Sequence, residues 1–505
     1  MSASESIIDS DKFADWIGLQ TNASKKCLKK KFDNWTTNPA RLQSFSSRFQ
    51  RFKSAFDKDP TFFTNAQALF TEIAESEKRL NTILHTNSAL EKESYNELIF
   101  QNQILKPLNF VPFLITVWSC IRVYILPGLS LLVPLMVLIA PYIIIRFGLN
   151  LPITFNNYIT ILQSIMTGNI GFLSRPPSET KTTFSPIVFL QQSGVVLLTI
   201  FQSVVQPYWT YKHLKSIDTI IVNHGTELLR FRDRYEQLEA LLDAHGFTFF
   251  RCPLPSISDA REATAVSVLE SFYFKLALKY IGSLEVIMCL AYNKDIHSVQ
   301  WVQSTTPIFK AKNTFDFQVP ISTRKEISVK FKENRNALLT GPNKGGKSTV
   351  LRSLATSALL AHTYGCAPGF ITLTPFQKML VCLKPDDLPG SKSRFEREIE
   401  FTAGTLKEEG STLVLIDELY HSTNPPDALR SCQIYCGKLW PKPNIISVIS
   451  THLFELVDTA DKDIQRLCCP ATLDGNGDIR FEYILKAGVC KVSSVDELLR
   501  RNGML

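Results

Sequence analysis

Charge is what the chain has least of where a folded chain most needs it. Between Lys106 and Lys212 the only charged side chains are Arg122, Arg146, Arg175, Glu179 and Lys181. A water-facing helix needs a charged or polar face, so this depletion argues against an ordinary soluble middle. Paired cysteine spacing is missing too. The sequence of 505 residues has 11 cysteines but no C-x-x-C pair and no regular interval. That excludes a disulfide framework and points to a reducing compartment. Cys432, Cys436, Cys468 and Cys469 with His421 and His452 offer metal-ligand atoms, but without the paired spacing buried thiols are the expected outcome. An apolar core is also absent from Met1 to Asp11, which is polar and acidic, so no secretory signal is expected there. Repeats and low-complexity tracts are lacking, and the net charge of +8 is too mild to select among nucleic acid, lipid headgroups and nucleotides.

Within the uncharged middle, Val123 to Ile145 carries no charge and exceeds the roughly 18 to 20 apolar residues that cross a bilayer core. A turn at Pro127-Gly128 would make Asn109 to Leu126 and Leu129 to Phe147 two spans of a hairpin, with Arg122 near the turn reaching headgroups. Pro134 and Pro141 are tolerated in such an environment. Leu151 to Leu173 and Phe184 to Gln206 are apolar but interrupted by amides, and read as interfacial, re-entrant or crossing segments. Trp209, Tyr208 and Tyr211 suit an interface belt.

Residues 1–105 read as a soluble helical region, with Leu69, Phe70, Ile73, Leu80, Ile83 and Leu84 at helical spacing. Its basic run, Lys25, Lys26, Lys29, Lys30 and Lys31 continued by Arg41, Arg48, Arg51 and Lys53, reads as a solvated face or as a contact for anionic lipid or nucleic acid. Residues 212–300 read as a helical lever, with Leu228, Leu229, Phe231, Leu238, Leu241 and Leu242 in amphipathic spacing.

Residues 301–505 carry the chemistry. Gly341-Pro342-Asn343-Lys344-Gly345-Gly346-Lys347-Ser348-Thr349 fits G-x-x-x-x-G-K-[ST]. Such a glycine-rich turn aims backbone N–H groups at phosphates, with Lys347 reaching the β and γ phosphates and Ser348 the magnesium ion. Leu413 to Glu418, LVLIDE, is an apolar strand ending in two carboxylates. Asp417 is placed for the metal and Glu418 for the attacking water. ATP and Mg²⁺ are the expected ligands.

These strings resemble the ATPase domain of MutS-like proteins, a branch of the ATP-binding-cassette ATPases, over about Gly282 to Leu499. TGPNKGGKST resembles that family's P-loop, with Lys344 where methionine is usual. SKSRFEREIE resembles the signature segment and puts Ser393, Phe395 and Glu398 on its positions. LVLIDELYHSTNPPDA resembles the Walker B strand and D-loop, including Thr423, Asn424 and Asp427. ISTHLFEL resembles the histidine switch at His452, and Tyr280 to Ala291 the end of the lever.

The resemblance implies an α/β fold, a P-loop ATPase domain of the ATP-binding-cassette type at the C-terminus; the helical spacing and uncharged runs before it predict an all-α region with transmembrane helices. The resemblance also implies ATP hydrolysis by Lys347, Glu418 and His452 at a site that Ser393 of a second subunit completes, hence a homodimer. Cytosolic ATP then places residues 1–105 and the ATPase domain on the cytosolic side of a membrane. The family's mismatch-reading domain and DNA-encircling clamp have no counterpart in the sequence, so DNA binding, if any, is expected without mismatch preference. The expected function is a membrane-anchored ATPase that drives conformational change; a membrane-tethered repair homologue and a nucleotide-gated scaffold with little turnover are the rivals.

Overall fold

The computed structural model describes residues 7–85, 95–166, 201–383, 393–473, 478–493, 499 and 502–504. Two compact units emerge. The first gathers Met1–Ala74, Leu238–Phe250 and Ala277–Leu505; the second gathers Glu75–Gln237 and Arg251–Leu276. Residues up to Ala74 thus share a body with the C-terminal α/β part.

The reason lies in capped helices with aromatic faces. Helix α1 (Ser10–Ile17) starts at Asp9, whose carboxylate accepts from Lys12 N, and stops at Gly18, which takes the left-handed φ of 78°. Helices α2 (Asn22–Asp33), α3 (Pro39–Lys58) and α4 (Pro60–His85) follow, with Thr21 and Asn38 as N-caps of α2 and α3. Phe13 meets Phe317 edge-on at 5.0 Å, and Phe32 meets Tyr364 at 6.4 Å. At the start of α2 the fully buried Glu285 accepts from Thr21 Oγ1 at 2.6 Å and from Thr21 N at 3.2 Å. A buried carboxylate there satisfies the free N–H end of the helix and is favoured by its dipole. The basic run divides accordingly. Lys26, Lys29 and Lys30 are exposed, whereas Lys31 sits 4.2 Å from the ring centres of both Phe45 and Tyr364.

In the second unit, α5 (Pro112–Cys120), a π-turn (Ile121–Ile125), α6 (Leu126–Ile143) and a second π-turn (Ile144–Gly148) run on as one helical stretch. The expected hairpin turn at Pro127-Gly128 is therefore not made. Proline lacks an N–H and its ring clashes with the carbonyl four residues back, but the wider i→i+5 turn just before it, closed by Leu126 N to Ile121 O, relieves that conflict and the helix continues. Arg122 is not free at a tip either; it binds the Glu97 carboxylate at 2.6 Å and lies over the Trp118 ring. Helix α7 (Phe155–Met166) covers part of the first interrupted apolar segment; most of the second lies outside the described residues. Over residues 206–292, where a lever was expected from residue 212, one long helix, α8 (Gln206–Ala244), is followed by α9 (Ala260–Leu269) and α10 (Phe272–Tyr292). Within the second unit α8 and α9 cross in close contact: a Cβ on Gly225 would lie 1.7 Å from Ala260 O, so only glycine fits.

The α/β part has two main sheets. A four-stranded one, in the order β2-β7-β3-β4, uses β2 (Gln300–Trp301), β3 (Phe309–Thr314), β4 (Ile327–Phe331) and β7 (Phe370–Leu373). A six-stranded one, β14-β11-β5-β10-β9-β8, holds the site. Its strands β5 (Asn336–Thr340), β8 (Lys378–Cys382), β9 (Thr412–Ile416), β10 (Ile445–Ser450) and β11 (Gln465–Cys468) are parallel, with β14 (Lys486–Ala487) antiparallel at the edge. β5, β9 and β10 are buried along their whole length, as parallel strands covered on two faces must be.

Candidate functional site

The chain leaves β5 through the glycine-rich turn and enters α11 (Lys347–Tyr364). Gly341, Lys344 and Gly346 have φ of 145°, 65° and 103°. A Cβ at Gly341 would stand 2.7 Å from Cys469 O, and one at Gly345 would stand 2.9 Å from Pro342 O. The turn is therefore restricted to glycine by close backbone approach as well as by conformation. Gly346 caps α11 with no side-chain hydrogen bond, so the first N–H groups of the helix remain available to an anion.

Pro342 to Val350, including Asn343, Lys344, Gly345 and Thr349, line a cleft of about 460 Å³. Lys347 is 5% exposed. Its ammonium donates to Gly341 O at 3.0 Å and Pro342 O at 3.2 Å. Burial pushes its pKa below the ordinary lysine value, while Glu418 and Asp417 oppose that shift. At the end of β9, Asp417 accepts from Ser348 Oγ and from Ser450 Oγ, each at 2.5 Å. Two oxygens of hard-ligand type, Ser348 Oγ and Asp417 Oδ2, thus stand together, the donor chemistry that magnesium takes.

Glu418 has a φ of 55°, and Tyr420 one of 56°. Left-handed backbone at non-glycine residues costs on the order of 1–3 kcal/mol each and turns the side chain out of the strand's regular alternation. Here Glu418 Oε1 comes within 3.2 Å of His452 Nε2 and 3.9 Å of Lys347 Nζ. The hydrogen bond from His452, followed by the attraction of Lys347, holds the Glu418 carboxyl below its ordinary pKa against the opposing effect of burial. His452 Nε2 also lies 3.0 Å from Lys347 Nζ. One ring nitrogen faces a group that only donates and a group that only accepts. With Nε2 protonated it donates to Glu418 and with Nε2 bare it accepts from Lys347, so the ring tautomer decides which of the two it holds.

Lys347, Ser348, Asp417, Glu418 and His452 are thus brought together. Ser393 is not. It is exposed and N-caps α12 (Arg394–Thr405) in a reciprocal capping box, accepting from Glu396 N at 3.2 Å while its own N–H donates to Glu396 Oε2 at 2.7 Å. Its helix is tied to the loop after β9: Ser422 Oγ donates to Glu398 Oε2 at 3.2 Å, Thr402 Oγ1 and Tyr420 OH share a hydrogen bond of 2.6 Å, and Phe395 packs against Tyr420. Asn424 caps α13 (Pro425–Leu439) by accepting from Asp427 N, and Thr423 lies in a small cavity with Glu418 and His452.

Sequence reading missed several residues. Ser450 bridges Asp417 Oδ1 and Glu418 N, and its polar character at the end of an apolar strand was a usable signal. Tyr483, Arg324 and Asp316 line the cleft with no motif to mark them. Among the described residues no cluster of three metal-ligating side chains occurs, and Cys432, Cys436, Cys468 and Cys469 are buried free thiols.

Residues 337–496 match the family model of MutS domain V, the ATPase domain of MutS proteins. That span contains β5 from Ala337 onwards, the glycine-rich turn, β9 with the two carboxylates that follow it, and His452. A MutS-type nucleotide-binding and ATPase role for this part of the chain follows.

Proposed function

We propose that the chain is a membrane-anchored ATPase of MutS type, hydrolysing ATP to ADP and phosphate in a site shared by two subunits and using the cycle to drive conformational change. The observation that carries the ATPase reading is the joined network of Lys347, His452 and Glu418 on one side and Ser348, Asp417 and Ser450 on the other. ATP fits the cleft: the glycine turn leaves no room for side chains and the start of α11 keeps its N–H groups for phosphate oxygens. Mg²⁺, when bound by Ser348 and Asp417, would neutralise charge on the phosphates. Lys347 supplies a desolvated cation to the β and γ phosphates. Glu418, kept ionised by His452 and Lys347, takes the proton of the attacking water. His452 fixes the carboxylate and is placed to register the change in charge.

Membrane anchoring rests on the helical stretch Pro112–Val133, which is long and apolar enough to cross a bilayer, and on the shorter apolar Ile139–Gly148. The lipid bilayer is then a partner, with the ATPase part in the cytosol where ATP is. Homodimerisation rests on Ser393, which stands exposed at a helix N-terminus and does not line the cleft of its own subunit. Mixing tests this. Ser393→Arg and Lys347→Ala chains, each inactive alone, regain part of the activity together, because one composite site per heterodimer is intact. Heterodimers that form but stay inactive refute the shared site.

A further inference from the structure

A cavity of about 1290 Å³ in the first unit lies away from the P-loop and has no part in the chemistry above. One wall is helix α3, which turns Gln43, Ser47, Gln50, Ser54 and Lys58 to it at helical spacing. The other is the chain from Ser298 to Pro307, which includes β2. β2 ends the four-stranded sheet, with β7 as its sole neighbour in that sheet. Val302 N donates to Leu373 O on β7 at 3.0 Å. Backbone groups of an extended chain alternate sides, so Gln300 and Val302 serve β7 while Trp301 and Gln303 turn their N–H and C=O groups the other way. Trp301 is fixed by its indole N–H, which donates to Ser46 Oγ at 3.0 Å, and Ser46 Oγ donates in turn to Gly365 O. A helix of this length spans roughly 30 Å, room for about eight extended residues between helix and strand edge.

The charge in this groove is positive and organised. Arg51 donates from Nη2 to Gly246 O at 3.1 Å and stacks over Phe247 at 5.2 Å, and Phe247 lies parallel on Phe52 at 4.2 Å. The guanidinium is held in orientation and keeps its other donors. Lys58 lies two turns further along the same face. The acidic group in the lining, Asp59, is already engaged by Thr61 N at 2.9 Å and His245 Nε2 at 3.1 Å. Val299 N, on the same side of the chain as the amides of Trp301 and Gln303, is taken by Gly365 O at 3.0 Å, so the edge is open from Trp301 onwards. An open strand edge beside a helix, with an oriented arginine and a lysine, is the arrangement in which an added strand is held by its backbone and selected by its carboxylates.

We propose that this groove docks an extended, acidic peptide segment of a partner protein, which pairs with β2 as an outer strand and sets a carboxylate against Arg51 and Lys58. The proposal is independent of the nucleotide chemistry. The test uses the full-length protein in detergent and pools of seven-residue peptides, blocked at both ends and random except for central glutamates. Control pools carry lysines in place of the glutamates, or glutamates with alternate backbone amides N-methylated; an oligothymidylate serves as the rival anion. The glutamate pool is retained at least about tenfold over either control, a difference of about 1.4 kcal/mol. Binding slows hydrogen exchange at the Trp301 and Gln303 amides, and the Arg51→Glu/Lys58→Glu variant loses retention while keeping its ATP turnover. Equal retention of the glutamate and N-methylated pools removes the added strand. Equal retention of the glutamate and lysine pools removes the acidic selection. Oligothymidylate binding that depends on Arg51, without peptide binding, replaces the peptide by a nucleic acid strand.

Discussion

Two helical stretches of this molecule invert the usual relation between composition and burial. Helix α11, which follows the P-loop, contains lysine, arginine, histidine, three serines and three threonines among its 18 residues, yet nearly all of it is buried. Pro112–Val133 is far more apolar, yet only 22% of its most apolar window is buried; Phe113 within it and Phe147 along its continuation are 72% and 69% exposed. Three of the polar residues of α11 are admitted to the core because they bond backwards along the helix: Ser353 to Thr349 O, Thr363 to Leu359 O and His362 to Ala358 O. A buried polar group that keeps its hydrogen bond costs little. The apolar stretch has no such internal solution, because contiguous apolar surface of this extent needs a cover other than water. On the proposal above that cover is lipid.

The largest expected effect tests that difference directly. Leu132 and Met136 stand one turn apart on the exposed side. If water faces them, Leu132→Arg/Met136→Arg is harmless to folding and solubility. If they sit in hydrocarbon, the pair costs about 5–7 kcal/mol of insertion free energy. Membrane fractions washed with carbonate are expected to retain the wild-type chain and to lose the double variant. Retention of the variant equal to wild type moves the anchor elsewhere.

Next in size is the split between two residues of the nucleotide site. Lys347→Ala removes the cation facing the phosphates and is expected to weaken ATP binding at least about a hundredfold. Glu418→Gln keeps the cleft's shape and removes the proton acceptor, so ATP stays bound while turnover falls by roughly 10²–10⁴. Equilibrium binding of a fluorescent ATP analogue beside single-turnover hydrolysis separates the two. Equal losses of affinity in both variants contradict the assigned roles.

The site was legible because its chemistry needs fixed spacings. Gly341 to Thr349 and Asp417-Glu418 are each contiguous in the chain, and the strand that carries each is apolar at its centre. What the sequence did not reveal depends on long-range approach. Tyr483 and Arg324 reach the cleft from chain segments far from the motifs, and nothing local to them records it. The same holds for the N-terminal helices. Their apolar spacing predicted helices, but that Phe13 and Phe32 complete the α/β core through Phe317 and Tyr364 is a tertiary fact. The hairpin failed for a local reason: a proline-glycine pair reads as a turn, but the preceding π-turn absorbs the proline and the helix runs through.

A third effect belongs to α11. His362 is fully buried, and burial pushes its pKa down to about 4. Its Nδ1 faces Ala358 O, and its Nε2 accepts from Phe376 N at 2.9 Å, a bond only the neutral ring can make. The unfolded chain takes up this proton near pH 6.5, the folded chain only near pH 4. Stability from this group is therefore complete above pH 6.5 and falls as the pH drops towards 4, by on the order of 3 kcal/mol. Denaturant midpoints for wild type and His362→Asn across this range check it. The variant is less stable at neutral pH, but its decline on acidification should be shallower by that amount. Parallel pH profiles for the two proteins would exclude a buried neutral histidine as the cause.

The smallest expected effect is a null difference, and it bears on which rival function survives. Mismatch discrimination needs a side chain wedged where stacking is weak, plus a protein frame that bends the duplex and offsets an unstacking cost of a few kcal/mol. The domain match covers residues 337–496, the ATPase part, and not a DNA-reading part. The remaining candidates for DNA contact are surface cations such as Lys26, Lys29 and Lys30, which are exposed. Contacts of that kind go to phosphates, are indifferent to sequence and weaken steeply with salt. Matched and single-mismatch duplexes are thus expected to bind alike at physiological salt, with parallel losses as salt rises. A preference of about tenfold for the mismatch, about 1.4 kcal/mol, would require a reading element that phosphate contacts cannot supply. It would transfer the ATPase cycle proposed here from membrane work to tethered repair.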